Sequence, residues 1–330
     1  MINESNYKNS NKEQSLHPNH HWGIILAGGE GNRLKDLTER LYGYHRPKQF
    51  CTLVGTRSLF KHTMERVRML IPKKQILTIV SKHHFNYFVD EIKDLPLKTI
   101  VVQPCARETS AGILYPMLKI HHEDPDAVVS IFPSDHFIEE EIRFMNYVYD
   151  AKLYVERNPD SIVMLGVKPE KVESGYGWIE CGDHAAEDNS DNIYYVQKFW
   201  EKPSYDIAEA LLINGSLLNT FVLVGKSSAF IKYMQQCIPD VYHAFDMISA
   251  DINTPREKFI VESQFQYIPR ENFSISVLQK IPQHLRVMEA TDIHWSDWGE
   301  EERIYNDIER MSLQSIHPME MQQSILSLHA

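Results

Sequence analysis

The start of the chain places a glycine turn and two cations close together. The segment GIILAGGEGNRL, which begins at Gly23, is a hydrophobic run followed by three glycines and Arg33; the later segment RPKQF places Lys48 directly after Pro47. Glycines allow backbone N–H groups to converge on a ligand, and proline stiffens the backbone before the lysine. We therefore predict that this turn holds an anion such as a phosphate. An ordinary glycine-rich turn, with Arg33 in a surface salt bridge and Lys48 exposed, is the alternative.

Two familiar phosphate-binding patterns do not fit the chain. The P-loop pattern G-x-x-x-x-G-K-[ST] could end at Ser227, but Thr220 stands where its first glycine is needed. The dinucleotide-binding pattern G-x-G-x-x-G could begin at Gly29, but Leu34 takes the place of its last glycine. The predicted anion site is therefore of another kind.

A carboxylate closes a later apolar run. Asp135 follows AVVSIFP at 127–133, so we expect it at the edge of a sheet where parallel strands end and ligands bind. The alternative is that Ser134-Asp135 caps a helix over 139–157. We interpret the neighbouring His136 as a packing residue or as a support for the site, and not as a metal ligand.

Alternating strands and helices must position these residues. Period and length predict buried strands at 22–27, 76–81, 97–103, 127–133 and 161–167, and helices at 58–70, 83–95, 110–122 and 140–157. Such alternation is typical of a doubly wound α/β sheet, parallel or mixed. The second half is less regular. We expect strands at 176–181, 192–200 and 218–225, a helix at 205–215, several helices over 228–280, two strands within 285–299 and a last helix at 300–311.

Composition limits the class of protein. The 330 residues carry a net charge of −11, with 43% hydrophobic and 24% charged residues, which is typical of a globular protein and argues against a nucleic-acid surface. A small polyphosphate remains a possible ligand if cations converge in one cleft. No apolar run approaches the ~20 residues of a membrane span. The polar residues 1–21 predict a flexible tail and no secretory signal, and four dispersed cysteines indicate a reducing compartment, so we expect a cytoplasmic protein.

The motifs together resemble the sugar-1-phosphate nucleotidyltransferases, most closely the bacterial mannose-1-phosphate guanylyltransferases. The resemblance covers about residues 22–310. Besides the glycine turn and PKQF, it includes FPSDHFI at 132–138, SGYGWIE at 174–180, FWEKP at 199–203, LNTFVL at 218–223 and HWSDWG at 294–299. It implies a Rossmann-like, doubly wound mixed sheet of the GT-A-like type. It also implies one domain over 22–311, with a nucleotide-binding half at 22–167, a sugar-phosphate-binding half at 168–311 and a C-terminal extension at 312–330.

The resemblance implies a reaction and its catalytic residues. The sugar phosphate attacks the α-phosphorus of a nucleoside triphosphate and pyrophosphate leaves. The nucleophile is already ionised, so catalysis consists of alignment and charge neutralisation. The family pattern assigns Mg²⁺ or Mn²⁺ to Asp135 and Asp297, the triphosphate to Arg33 and Lys48, and the sugar phosphate to Lys202. Carboxylates are the ligands expected for such a metal ion.

The binding residues implied by the resemblance form two groups. The nucleotide-binding group is Leu26, Ala27, Gly28, Gly29, Gly31, Gln103 and Thr109. The sugar-phosphate-binding group is Gly177, Glu201 and Asn219. For Thr109, a role in capping its helix is an equal alternative.

Some positions depart from the family pattern. Gln103 replaces an acidic residue, Leu218 stands where tryptophan is expected, and Glu300 replaces a small residue. GTP and mannose 1-phosphate are the favoured substrates, while another base or sugar, or a non-catalytic nucleotide-sugar sensor, stays open. A glycosyltransferase is disfavoured because Ser134-Asp135-His136 is not the D-x-D pattern. We expect no second activity; a homo-oligomer is compatible with the sequence.

Overall fold

A computed structural model describes residues 19–185 and 192–314, and gives side-chain environments through residue 312. The predicted tail and C-terminal extension lie largely outside these residues. The strands are β1 His21–Ala27, β2 Ile76–Ser81, β3 Ile100–Gln103, β4 Val128–Pro133, β5 Phe137–Ile138, β6 Ile162–Val167, β7 Gly177–His184, β8 Ile193–Glu201, β9 Leu217–Lys226, β10 Leu285–Glu289 and β11 Trp295–Ser296.

The α-helices lie between these strands, except for the last one, which follows β11. They are α1 Lys35–Tyr42, α2 Leu59–Arg68, α3 Phe85–Phe88, α4 Glu108–Glu123, α5 Glu141–Arg157, α6 Tyr205–Ile213, α7 Ser227–Cys237, α8 Pro239–Ala244, α9 Asp246–Asp251, α10 Glu257–Gln264, α11 Phe273–Ser276 and α12 Glu301–Gln314. Short 3₁₀ turns at Asn32–Leu34 and Lys48–Phe50 follow β1 and flank α1. No described helix is long and apolar enough to cross a membrane.

Nine strands form one mixed sheet in the order β3-β2-β1-β4-β9-β6-β10-β8-β7, and β7 also pairs with β9. The pairs that join β1 to β2 and β4, and β2 to β3, are parallel, whereas β9 runs antiparallel to both β4 and β6. The predicted doubly wound mixed α/β fold is confirmed. Because β1 and β4 are parallel neighbours, the glycine turn and Asp135 emerge at the same edge.

Two apolar cores cover the two faces of the sheet. On β1, Ile24 packs with one core and Ile25 with the other, as the two-residue period of a strand requires. Helices α4 and α7 supply buried side chains such as Met117 and Tyr233 to the first core, and α2 and α5 supply Val67 and Val148 to the second. Burial on both faces explains the continuous apolar runs of these strands.

The prediction of one long helix over 83–95 is wrong. A 3₁₀ turn leads into α3, which spans only Phe85–Phe88, and the chain continues in irregular turns. Phe85 is 57% exposed while Phe88 is buried, so the apolar residues do not share one buried face. Glu91 is held by a tertiary hydrogen bond from the Ser58 hydroxyl, at 2.9 Å. The following strand begins at Ile100 and not at 97, because a 3₁₀ turn that starts after Pro96 precedes it.

A two-stranded ribbon that the sequence did not predict lies beside the main sheet. In it β5 pairs antiparallel with β11, with Ile138 opposite Trp295 and Phe137 opposite Ser296. One further step along this register brings His136 opposite Asp297. The ribbon therefore draws two segments that are 161 positions apart (297 minus 136) to one place. The second predicted strand within 285–299 is reduced to these two residues of β11.

Candidate active site

The glycine turn is locked against the segment that carries Lys48. Gly31 has φ 67°, and a Cβ added there would lie 2.7 Å from the backbone nitrogen of Lys48, so only glycine fits. The buried Gln49 side chain donates hydrogen bonds to the carbonyl oxygens of Ala27, at 3.0 Å, and Gly29, at 2.8 Å. The sequence analysis did not single out Gln49; its only signal was its position beside Lys48 in PKQF.

Lys48 contacts both predicted metal ligands. Its Nζ lies 2.9 Å from Oδ2 of Asp135 and also donates to the backbone carbonyl of Asp297. Lys48 is 4% exposed, so it is not an exposed turn lysine. Burial raises the pKa of Asp135, but Lys48, together with His136 and Arg33, outweighs this effect, and the net pKa is lowered. Asp135 is therefore ionised at neutral pH. It does not cap α5, whose N-cap is Glu140.

The two oxygens of Asp297 have different partners. Oδ2 accepts a hydrogen bond from Arg33 Nη2 at 3.0 Å, and the Arg33 side chain is 59% exposed. Oδ1 accepts from the Tyr176 hydroxyl at 2.7 Å, the Gly299 backbone at 2.9 Å and Arg303 Nη1 at 3.1 Å. Arg33 does form a salt bridge, as the alternative proposed, but its partner is a predicted site carboxylate.

The donor set suits a hard cation that also binds substrate oxygens. Within residues 19–185 and 192–314, no three His, Cys, Asp or Glu side chains cluster as a metal site. Two carboxylates nevertheless fit Mg²⁺, which keeps waters and phosphate oxygens among its ligands. His136 packs edge-on against Trp295, with 5.4 Å between the ring centroids, and accepts from its Nε1 at 3.3 Å. Burial lowers the pKa of His136 to about 4, so the ring is neutral.

A cavity of about 240 Å³ opens beside the glycine turn, between the ends of β1 and β3 and the start of α4. Of the predicted nucleotide-binding residues, those that line it are Leu26, Gly28, Gly29, Gln103 and Thr109. Ala27 and Gly31 do not line it. Ala27 is fully buried and its carbonyl is bound by Gln49, while Gly31 packs against the backbone of Lys48. Arg107 and Glu108 contribute to the wall as well.

The polar groups of this cavity differ in how they are bound. Gln103 is 6% exposed, and its Nε2 has no hydrogen-bond partner in the described part of the chain. Glu108 has φ 61°, a conformation that is rare outside glycine and asparagine. Thr109 accepts a hydrogen bond from the backbone N–H of Phe273 at 2.8 Å and thereby anchors α11. It does not cap α4, whose N-cap is Arg107 without a side-chain hydrogen bond.

The predicted sugar-binding residues come together on β7, β8 and β9. Gly177 pairs with Glu201, and a Cβ at Gly177 would lie 2.9 Å from Phe199, 3.2 Å from the Glu201 carboxylate and 3.4 Å from Asn219. Burial raises the pKa of Glu201, with Lys202 acting in the opposite direction. Asn219 is 6% exposed and accepts from the backbone of a nearby residue of β9.

Tyr176 joins the predicted sugar-binding residues to the carboxylate of Asp297. Its hydroxyl donates to Asp297, and its backbone carbonyl accepts from Lys202 N–H at 3.1 Å. Lys202 is exposed and has φ 47°, so its backbone is held in an unusual conformation. Tyr176 lies in the quoted SGYGWIE motif but was not singled out, and Arg303 had no sequence signal at all.

Comparisons with known proteins agree with this architecture. The family model for nucleotidyl transferases matches residues 22–311. The chain is similar to mannose-1-phosphate guanylyltransferase 2 of Escherichia coli O157:H7, with 28% identity over 288 residues, 84% of this chain and 57% of that protein. A similar relative is mannose-1-phosphate guanylyltransferase of Salmonella montevideo, with 28% identity over 282 residues and the same shares. The chain thus spans 57% of the length of these curated relatives.

A solved structure with the same fold is titled mannose-1-phosphate geranyltransferase and comes from Thermus thermophilus. It has a TM-score of 0.74 and 22% identity, and the match covers 87% of this chain and 79% of that one. At this identity the likeness shows the fold alone.

Proposed function

The chain belongs to the nucleotidyl transferase family, and on this basis we propose that it transfers a nucleotidyl group to a hexose 1-phosphate. The favoured substrates are GTP and mannose 1-phosphate, which would give GDP-mannose, a polysaccharide precursor, and pyrophosphate. The names of the relatives support this choice. We further propose the domain over 22–311, divided near residue 167. A cytoplasmic location and a homo-oligomer stay predictions.

One observation carries the proposal. Two cation–carboxylate pairs, Lys48 with Asp135 and Arg33 with Asp297, lie at the ligand-binding edge of the sheet. Tyr176 connects the second pair, through Asp297, to the cluster of Gly177, Glu201 and Asn219. The cavity beside the glycine turn borders the same edge. A nucleotide in this cavity and a sugar in the cluster would both direct their phosphates towards the pairs.

These residues suit in-line phosphoryl chemistry. The sugar phosphate is already ionised, so the chain needs no general base and acts by alignment and charge neutralisation. We assign Arg33 and Lys48 to the triphosphate and the departing pyrophosphate, Lys202 to the sugar phosphate and Glu201 to a sugar hydroxyl. Asp135 and Asp297 would hold Mg²⁺ or Mn²⁺, which when bound neutralises charge on the phosphate oxygens.

The walls of the cavity support guanine. Guanine carries two adjacent donors on its pairing edge, N1–H and the N2 amine, beside the O6 acceptor. Glu108 lines the cavity, is solvent-exposed, and has a side chain with no hydrogen bond or ion pair within the described residues. A carboxylate can accept from both donors, and the amide of Gln103 can donate to O6. The left-handed backbone of Glu108, a local cost of about 1–3 kcal/mol, is consistent with a functional position.

The test is pyrophosphate release from each of GTP, ATP, UTP and CTP with mannose 1-phosphate or glucose 1-phosphate, with and without Mg²⁺. We expect release to require GTP, mannose 1-phosphate, Mg²⁺ and Asp135, so Asp135→Ala is inactive. Glu108→Gln should lower kcat/KM for GTP by roughly 10- to 100-fold, as expected for lost hydrogen bonds to a charged group.

Glu30→Gln is the matched control, because Glu30 lines the same cavity but is paired with His84 at 3.2 Å. It should leave the order of base preference unchanged. Pyrophosphate release with another nucleotide or another sugar phosphate would support the proposed reaction but would show that the proposed substrates are wrong. A folded protein that binds nucleotide but releases no pyrophosphate with any pair would be a nucleotide-sugar sensor.

A further inference from the structure

We propose that Arg303 is a positioning residue that fixes Asp297, so that Oδ2 alone is presented to the site. The inference rests on the proposed function, because it concerns a carboxylate assigned to the metal ion. Arg303 lies on α12, outside every motif that the sequence analysis used. We infer its role from the different hydrogen-bond partners of the two carboxylate oxygens of Asp297.

Oδ1 of Asp297 is fully occupied by the protein. Tyr176, Gly299 and Arg303 all donate to it at 2.7–3.1 Å. A carboxylate offers about two lone-pair sites per oxygen, so three donors leave no capacity for a further ligand. Within the part of the chain that the structure describes, Oδ2 has one partner, the guanidinium of Arg33, whose side chain is 59% exposed and can move when a substrate arrives.

Arg303 is itself held in place, unlike Arg33. Its Nη2 lies 2.7 Å from Oε2 of Glu173, and its guanidinium carbon lies 4.5 Å from the centre of the Tyr176 ring. The Arg303 side chain is only 13% exposed, as is that of Glu173. A planar guanidinium presents five donors in a rigid fork, so it can hold both carboxylates at once in a fixed geometry that the flexible ammonium of lysine does not provide.

This arrangement has a consequence for metal binding. Asp297 is 5% exposed and its side chain cannot turn without breaking three hydrogen bonds on Oδ1. The carboxylate is therefore pre-oriented to bind a cation through one oxygen. Loss of a residue that hydrogen-bonds a metal ligand typically lowers metal affinity about 10- to 100-fold. We expect a loss of this size when Arg303 no longer reaches Asp297.

Arg303 could instead serve only to attach α12 to the domain. Measuring metal affinity distinguishes this role from the positioning of Asp297, because only the positioning role affects the metal site. The main variant is Arg303→Gln combined with Glu173→Gln, because removing Arg303 alone would leave the largely buried Glu173 carboxylate with only the more distant Lys171, at 3.8 Å, as an ion-pair partner among the described residues. Arg303→Lys is the conservative variant. Arg310→Gln is the matched control, since Arg310 lies on the same helix and pairs with Glu139 at 2.5 Å.

The measurement is Mn²⁺ affinity of the purified protein, from the electron paramagnetic resonance signal of free Mn²⁺, with thermal unfolding measured in parallel. We expect the double variant to bind Mn²⁺ at least about tenfold more weakly, Arg303→Lys to recover part of the loss, and Arg310→Gln to match the wild type. In turnover assays of the double variant, the Mg²⁺ concentration that gives half-maximal rate should rise. The decrease in kcat at saturating Mg²⁺ should be smaller, as a fold-change, than this rise.

Two outcomes would overturn the inference. A double variant that unfolds at lower temperature but binds Mn²⁺ like the wild type would show that Arg303 only attaches α12. If Asp297→Asn also leaves Mn²⁺ affinity unchanged, the metal assignment itself is wrong, and the failure belongs to the proposed function rather than to Arg303.

Discussion

Gly31 provides a sharp test of how the glycine turn positions Lys48. An alanine at this position meets two separate obstacles. The backbone has φ 67°, where a Cβ costs about 1–2 kcal/mol. The added Cβ would also lie 2.7 Å from the Lys48 backbone nitrogen, whereas ordinary contact begins near 3.4 Å. The Lys48 backbone must therefore shift by about 0.7 Å, the difference between these two distances.

The shift falls on Lys48, to which we assign a catalytic role. Lys48 Nζ forms an ion pair with Asp135 and a hydrogen bond to the backbone carbonyl of Asp297. A displaced Lys48 backbone therefore disturbs both of these contacts. Misplacement by about 1 Å can cost a hundredfold in rate, which equals about 2.7 kcal/mol in the activation barrier. We expect Gly31→Ala to lower kcat/KM for pyrophosphate release by about this factor.

Gly55→Ala separates the clash from the backbone strain. Gly55 has φ 66°, almost the same as Gly31, but apart from its two chain neighbours no atom of the described residues lies within 4 Å of an added Cβ. Urea unfolding should show that Gly55→Ala loses about 1–2 kcal/mol of stability, while its kcat/KM stays within about twofold of the wild type. Equal kcat/KM in the two variants would refute the proposed link between Gly31 and Lys48.

Two further predictions concern stability against pH and the sugar side. Burial lowers the pKa of His21 to about 3, so the unfolded chain binds a proton below its ordinary pKa of about 6.5 while the folded chain does not. The wild type should therefore lose about 2 kcal/mol between pH 7 and pH 5 from this group, in urea unfolding, and His21→Gln should lack this loss; parallel curves would contradict it. Gly177→Ala would place its Cβ 2.9 Å from Phe199 and 3.2 Å from Glu201. It should raise KM for the sugar phosphate at least about tenfold with KM for GTP unchanged, and an equal rise in both would place the sugar elsewhere.

The sequence could predict those features of the site that depend on the order of strands and on the residues that directly follow them. The glycine turn and Asp135 each follow a buried strand, and parallel neighbours end at one edge, so their proximity followed from the pattern alone. The pairing of β5 with β11 could not be predicted, because each strand has two residues and no period can be recognised in so short a run. The contacts of Tyr176 and Arg303 with Asp297, which directly follows β11, depend on that tertiary arrangement, whereas those of Gln49 depend on how the PKQF segment packs against the glycine turn. Residues 83–95 show the same limit, since helical propensity there yields to the turns that hold Glu91 and Pro96.

The charges of the site explain why a divalent cation belongs to the proposed reaction. Among the described residues of the site, five cations face five carboxylates; the cations are Arg33, Lys48, Lys171, Lys202 and Arg303, and the carboxylates are Asp135, Glu173, Glu201, Asp297 and Glu300. The set is thus close to neutral before any substrate binds, although two polyanions must meet there. Moving Arg33 or Lys48 onto a phosphate uncovers a carboxylate, so the exchange adds no net positive charge. The negative charge of the phosphates must therefore be balanced by cations that bind together with the substrates. The carboxylates of Asp135 and Asp297, once Lys48 and Arg33 have moved away, are the groups that would hold a divalent cation.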